Sequence, residues 1–157
     1  MSQTTFTVKR EELTIIVERV FDAPREKVFK VFTDPTHLPK WWGPRNLTTT
    51  VESMDVRVGG KWRFIQRDEK GNEFAFNGVY KEVTPPERIS NTFEFEPMAG
   101  HILVETAVFE DLGDKTKVTS TARYANLEDL DGMVASGMEG GAVESWERLA
   151  EFITTVA

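Results

Sequence analysis

Two sets of residues in this chain have types and spacings suited to chemistry. The larger is aromatic: Trp62 and Phe64, then Phe74, Phe76 and Tyr80, then Phe93 and Phe95. Within each group the spacing is even, which puts the side chains on one face of a strand. Rings gathered on one face can wall an apolar pocket, or they can fill a close-packed core. Tyr80 adds a phenol able to orient a polar ligand group. The smaller set is polar. Asp55 and Arg57 share a face if their segment is extended, and they can pair beside the turn at Gly59-Gly60. Arg19 has the parity of Leu13, Ile15, Val17 and Phe21, so it is expected to point inward and offer a buried charge to a carboxylate. His37 lies near Trp41-Trp42, where proton transfer is one reading and a surface or capping position the commoner one.

No stronger constellation accompanies these residues. The chain has no zinc-protease HExxH, nucleophile elbow, phosphate-binding loop or dinucleotide fingerprint, and its Gly-Gly pairs have the wrong spacing for one. Two separated histidines, His37 and His101, with scattered carboxylates make no recognisable metal set. With zero cysteines, disulfides, thiolate sites and cysteine nucleophiles are excluded. The sequence therefore assigns no catalytic residue, no metal and no cofactor. A net charge of -7 repels phosphate backbones and anionic lipid, so nucleic acid is not an expected partner. No leader-like N-terminus or membrane-length apolar run is present, which makes a cytoplasmic location without membrane insertion the expectation.

The elements that must position these residues follow from periodicity and punctuation. Leu13 to Phe21, rich in β-branched residues, is expected as a first strand after a loose extension over residues 1–11. Pro24 opens a short helix through Val28, Phe29, Val31 and Phe32; Asp34-Pro35 opens a second that Gly43-Pro44 ends. Trp41 and Trp42 sit on that second helix, where neighbouring residues point apart, so at most one should face a cavity. From Leu47 onward, turn signals separate runs of strand composition. Alternation places Ile102, Val104, Thr106 and Val108, and also Val118, Ser120 and Ala122, on the same face as the rings. Leu127 to Val156 is helical, with Met138, Ala142, Trp146, Leu149 and Ile153 at spacings of three and four. Gly137 and Gly140-Gly141 mark a bend, a helix start or close packing within it.

This order predicts a single α+β domain over residues 1–157, of helix-grip type. A curved antiparallel sheet of six to seven strands wraps a long C-terminal helix, with two short helices after strand one. The segments Arg19-Val20-Phe21-Asp22-Ala23-Pro24, Thr33-Asp34-Pro35 and Trp41-Trp42-Gly43-Pro44 carry a resemblance to a known family. So do Asp55-Val56-Arg57-Val58-Gly59-Gly60-Lys61-Trp62, Gly78-Val79-Tyr80, Pro85-Pro86-Glu87-Arg88-Ile89 and Trp146-Glu147-Arg148-Leu149. The chain resembles the START-like (SRPBCC, Bet v 1-like) superfamily, in the branch similar to the C-terminal domain of the activator of Hsp90 ATPase. It departs at Val58, where that branch often carries proline.

The resemblance implies an apolar cavity between sheet and terminal helix, and a family that fixes architecture better than function. The leading expectation is binding of a small, largely apolar molecule such as a lipid, an aromatic or a polyketide. Its contacts would come from the rings, from Val104, Thr106 and Ser120 on the sheet, and from Met138, Ala142 and Trp146 on the helix. A cyclase or hydrolase acting in the same cavity is the second reading and needs a titratable group inside. A chaperone partner ranks below both, and a weak homodimer is left open.

Overall fold

A computed structural model of the chain describes residues 3–156. Eight antiparallel strands form one open sheet: β1 (Thr5–Lys9), β2 (Thr14–Phe21), β3 (Thr48–Met54), β4 (Lys61–Arg67), β5 (Glu73–Thr84), β6 (Arg88–Phe95), β7 (Leu103–Asp111) and β8 (Thr116–Arg123). Their spatial order is β1-β2-β8-β7-β6-β5-β4-β3. Strands β3 to β8 are thus a meander whose last member returns to pair with β2. The chain crosses from β2 to β3, at the far edge, through helix α1 (Arg25–Thr33). Helices α2 (Leu127–Ala135) and α3 (Met138–Ile153) follow β8, and α3 is the longest helix. This is the helix-grip fold. No described helix is long and apolar enough to cross a membrane.

Four features differ from the sequence expectation, each for a local reason. The N-terminal segment contains an eighth strand: Thr5-Phe6-Thr7-Val8 alternates polar and apolar, and β1 pairs with β2 from Thr5 opposite Glu18 to Lys9 opposite Thr14. Only the first of the two short helices is α-helical. Asp34 does not cap a second one; its Oδ1 accepts the Thr36 N–H at 2.8 Å and the Thr36 hydroxyl at 2.7 Å. A single 3₁₀ turn, Leu38–Lys40, follows, because Pro39 and Pro44 leave no room for a regular helix. The C-terminal helix is two helices. Gly137, at φ 82°, takes the left-handed conformation that ends α2 and starts α3.

The fourth difference is the phase of β7. Leu103, Ala107 and Phe109 are buried on the inner face, whereas Val108 is exposed, so Val104 and Thr106 face outward; Ile102, just before the strand, is exposed but borders the cavity. Thr106 shares a 3.1 Å hydroxyl–hydroxyl hydrogen bond with Ser90 on that outer face. Apolar residues occur in both phases of this strand, and Glu105 in the inward phase disguises it as the outer one.

Packing divides the space between sheet and helices into two ends. At one end α1 and the second half of α3 meet the sheet in a solid cluster of Phe21, Phe29, Phe32, Phe109 and Trp146. Its rings contact at 5.1–6.1 Å in edge-on or tilted pairs, the arrangement favoured by the ring quadrupole. At the other end Leu130 of α2 packs on Ile15, Leu103, Ala122 and Tyr124. Between the two clusters the interior is open.

Candidate functional site

The open interior is a cavity of about 840 Å³. Its sheet wall is aromatic. Trp62 and Phe64 stand side by side on β4 with centroids 4.6 Å apart. Phe76 on β5 reaches Phe93 at 5.5 Å and Phe95 at 5.0 Å on β6. Trp42 closes one side by meeting Phe64 and Phe76 edge-on at 5.1 and 5.2 Å. Trp41 also borders the space, so both tryptophans contribute. The tight turn after Leu38 turns one ring after the other toward the interior, which a regular helix does not do. The Trp41 indole N–H donates to the Val31 carbonyl at 3.2 Å, which ties that ring to α1.

Helix α3 holds the tryptophan segment through two polar side chains. The Ser145 hydroxyl donates to the Trp41 carbonyl at 3.1 Å and accepts the Gly43 N–H at 3.0 Å. The Arg148 guanidinium donates to the carbonyls of Gly43 at 2.8 Å, Lys40 at 3.1 Å and Pro44 at 3.3 Å. Met138, Ala142 and Trp146 of the same helix reach the cavity, as does Ser120 of β8.

Gly78 lies on the inner face opposite Trp62 but leaves no room for a ligand. A Cβ there would come within 2.0 Å of the Thr92 carbonyl and 2.5 Å of the Trp62 Nε1. The glycine lets the Trp62 indole lie flat against β5, so the ring itself occupies that space.

Several expected contacts lie elsewhere. Phe74, Val104 and Thr106 are not among the lining residues. Arg19 has the inward parity but does not border the cavity: its Nη1 donates to the Thr4 hydroxyl at 3.0 Å, its guanidinium carbon lies 5.9 Å from the Phe21 ring centroid, and its Nε is buried without a partner. Asp55 and Arg57 do pair, through one contact of 2.7 Å, yet the pair is solvent-exposed and outside the cavity. His37 sits 3.7 Å from Asp34 and against Phe152. His101 instead borders the cavity at its rim, with Nδ1 2.7 Å from Asp129 Oδ1 on α2.

A polar row crosses the centre of the sheet wall. In register, Tyr80 of β5 lies opposite Asn91 of β6, Asn91 opposite Glu105 of β7, and Glu105 opposite Ala122 of β8. All four border the cavity. The Gly59-Gly60 turn holds Tyr80 at the end of the row: the Gly59 N–H donates to the Tyr80 carbonyl at 2.8 Å, and the Tyr80 N–H to the Gly60 carbonyl at 2.9 Å. Burial pushes the Tyr80 phenol well above its ordinary value, and Asp55 adds to the effect.

Glu105 was not expected at this position. What surface it retains faces the cavity, and protein surrounds it on the other sides. Its one hydrogen bond is a long one, 3.4 Å from the Asn91 Nδ2, and that amide also serves the Thr92 carbonyl at 2.9 Å. Burial pushes the carboxyl up to about 7, against the small lowering from Asn91. Tyr124, beside α2, is raised by burial first and by the Glu105 charge second. A carboxyl able to gain or lose a proton near neutrality is therefore present inside the cavity. Among the described residues no group of three or more histidines and carboxylates is placed to hold a metal.

Comparison with known proteins places the architecture in a family. Residues 22–154 match the family model described as activator of Hsp90 ATPase homolog 1-like protein. A crystal structure of a Mycobacterium smegmatis protein is similar at TM-score 0.86 and 24% identity, covering 97% of this chain and 98% of that one. A Rhodobacter sphaeroides protein superposes at TM-score 0.90 with 20% identity, over 98% and 99% of the two chains. A Chromobacterium violaceum protein shares 28% identity at TM-score 0.78, over 88% and 96%. No curated protein matches the chain. The match over most of the length, on the fold described above, establishes that the chain belongs to the activator of Hsp90 ATPase homolog 1-like family.

Proposed function

We propose that this protein binds a small, largely apolar molecule in the cavity between sheet and α3. The observation that carries the reading is the open volume of about 840 Å³ behind a wall of rings from β4, β5 and β6. Ligand sites of roughly 300–1,000 Å³ accommodate drug-sized molecules and are mostly apolar with a few placed polar groups. Affinity would come from burying the ligand's apolar surface, at about 25 cal/mol per Å² before the entropic cost of association. Orientation would come from the Tyr80–Asn91–Glu105 row.

The test uses Nile red, a neutral apolar dye whose emission rises on entering such a site. The wild-type protein should bind it with saturation, and Gly141→Trp should weaken binding at least tenfold. Gly141 borders the cavity and a Cβ there meets no atom within 4 Å, so the indole has room to project. Equal binding by both proteins, or none by the wild type, would refute the reading.

One observation favours a second reading, a reaction of cyclase or hydrolase type on such a molecule. Glu105 is a titratable group within the cavity and could serve as its general acid or base.

A further inference from the structure

The charges around the cavity have one sign. The lining includes Glu105 in the sheet wall and Glu128 and Asp129 on α2 at the rim, but no lysine and no arginine. His101 is the one lining residue able to carry positive charge, and it is engaged with Asp129. An apolar molecule with a carboxylate head would meet no cation inside and would place its anion beside Glu105, an arrangement that like charges oppose.

Glu105 also lacks partners. A carboxylate offers about four acceptor positions, and here one is filled, by a 3.4 Å contact to an amide already committed at 2.9 Å. Groups facing it from neighbouring elements are Asn91 of β6, Ala122 of β8 and Tyr124, with Tyr80 one strand further. None of them is a cation. The carboxyl is part-buried in the cavity wall, so its open acceptor positions face the space that an occupant would fill. The lining also includes the rings of Trp62, Phe76 and Phe93, and an aromatic π-system attracts a cation.

We infer that the ligand is a lipophilic amine: an apolar body in the ring-lined chamber, with a protonated nitrogen paired to Glu105. The inference rests on the cavity being the binding site and adds the chemical class of the occupant. A protonated amine supplies two or three donors and neutralises the carboxylate, whereas an alcohol supplies one donor and no charge.

Displacement of Nile red by three matched compounds, 2-naphthylmethylamine, 2-naphthylmethanol and 2-naphthoate, tests this directly. At pH 7.5 the amine should displace the dye at least tenfold more strongly than the alcohol, and naphthoate least of all. Glu105→Gln, which keeps the side chain's shape, should bring the amine to within about threefold of the alcohol. The pH profile of the wild type gives a readout that needs no variant. A carboxyl titrating at about 7 is one-tenth ionised at pH 6 and nine-tenths at pH 8, so amine affinity should rise about tenfold across that range. Alcohol affinity should stay nearly level. Naphthoate matching the amine would overturn the inference while leaving the cavity reading intact, and so would an amine preference unmoved by both the variant and pH. Failure of Nile red to bind would remove both.

Discussion

Replacing Glu105 with glutamine isolates the energetic consequence of a carboxyl in the sheet wall. Burial raises this group from an ordinary value of 4.5 to about 7. Between those values the folded protein holds a proton that the unfolded chain has released, so stability falls as pH rises through that window. The contribution is fully present below the unfolded value and lost once pH passes the folded one. At 1.36 kcal/mol for each tenfold change, the loss from pH 5 to pH 8 comes to about 2–3 kcal/mol. Glutamine fills the same volume, keeps an acceptor for Asn91 and does not titrate.

Urea unfolding of both proteins, followed by tryptophan fluorescence at pH 5, 6, 7 and 8, measures the effect. The stability of Glu105→Gln relative to wild type should rise by about 2–3 kcal/mol across the series, because titration of every other group cancels in the difference. The steepest part should fall between pH 5 and 7. A difference flat to within about 0.5 kcal/mol would mean that the carboxyl is solvated in the folded state. The charge argument for the ligand would then lose its foundation.

Two further substitutions test how the walls are held. Arg148→Ala removes the donors to three main-chain carbonyls around Trp41-Trp42 and should cost about 2–3 kcal/mol, seen as a melting temperature about 4–10 °C lower in calorimetry; an unchanged melting temperature would contradict the clamp. Gly78→Ala drives a methyl group into the Thr92 carbonyl and the Trp62 indole and should cost about 1–3 kcal/mol in urea unfolding; a variant as stable as wild type would show that the indole does not lie against β5.

The architecture was legible in the sequence because its signals are long and redundant. Alternation in Lys61–Arg67 and Val118–Ala122, together with the three- and four-residue spacing of Met138 to Ile153, fixes which faces meet. Twelve of the expected contact residues, Trp62, Phe64 and Phe93 among them, do border the cavity. Arg19 and the two β7 residues, Val104 and Thr106, are misplaced for different reasons. Parity tells which side of a strand a residue takes, but not where a long side chain ends, so Arg19 starts inward and finishes at Thr4. In β7 parity itself was ambiguous, since Leu103 and Val104 are both apolar and the one charged residue between them and Ala107 marks the inner face. Phe109, the largest apolar side chain of that strand, sits in the same phase as Glu105 and was the available clue. Glu105 escaped notice because a lone glutamate in a strand ordinarily faces water. Its inward position becomes evident only when Asn91, Ala122 and the cavity are placed around it.

The open chamber follows from an imbalance of size across it. The sheet contributes Trp62 and several phenylalanines, while α2 and α3 contribute Gly132, Ser136, Gly141 and Ala142 beside the larger Met133, Met138 and Trp146. A Cβ added at Gly132 or Gly141 would touch nothing within 4 Å, so packing does not demand these glycines. Each is roughly 1 kcal/mol less favourable than alanine in a helix interior, and both weaken the segment over the chamber. Glu105 weakens the fold at neutral pH in the same way, as a carboxyl short of partners. Three departures from the most stable sequence thus converge on one volume, whereas the neighbouring cluster of Phe21, Phe29, Phe109 and Trp146 is packed solid. Such local violations of folding rules are expected at functional sites. A ligand that fills the space and supplies donors to Glu105 would relieve the deficits that all three create.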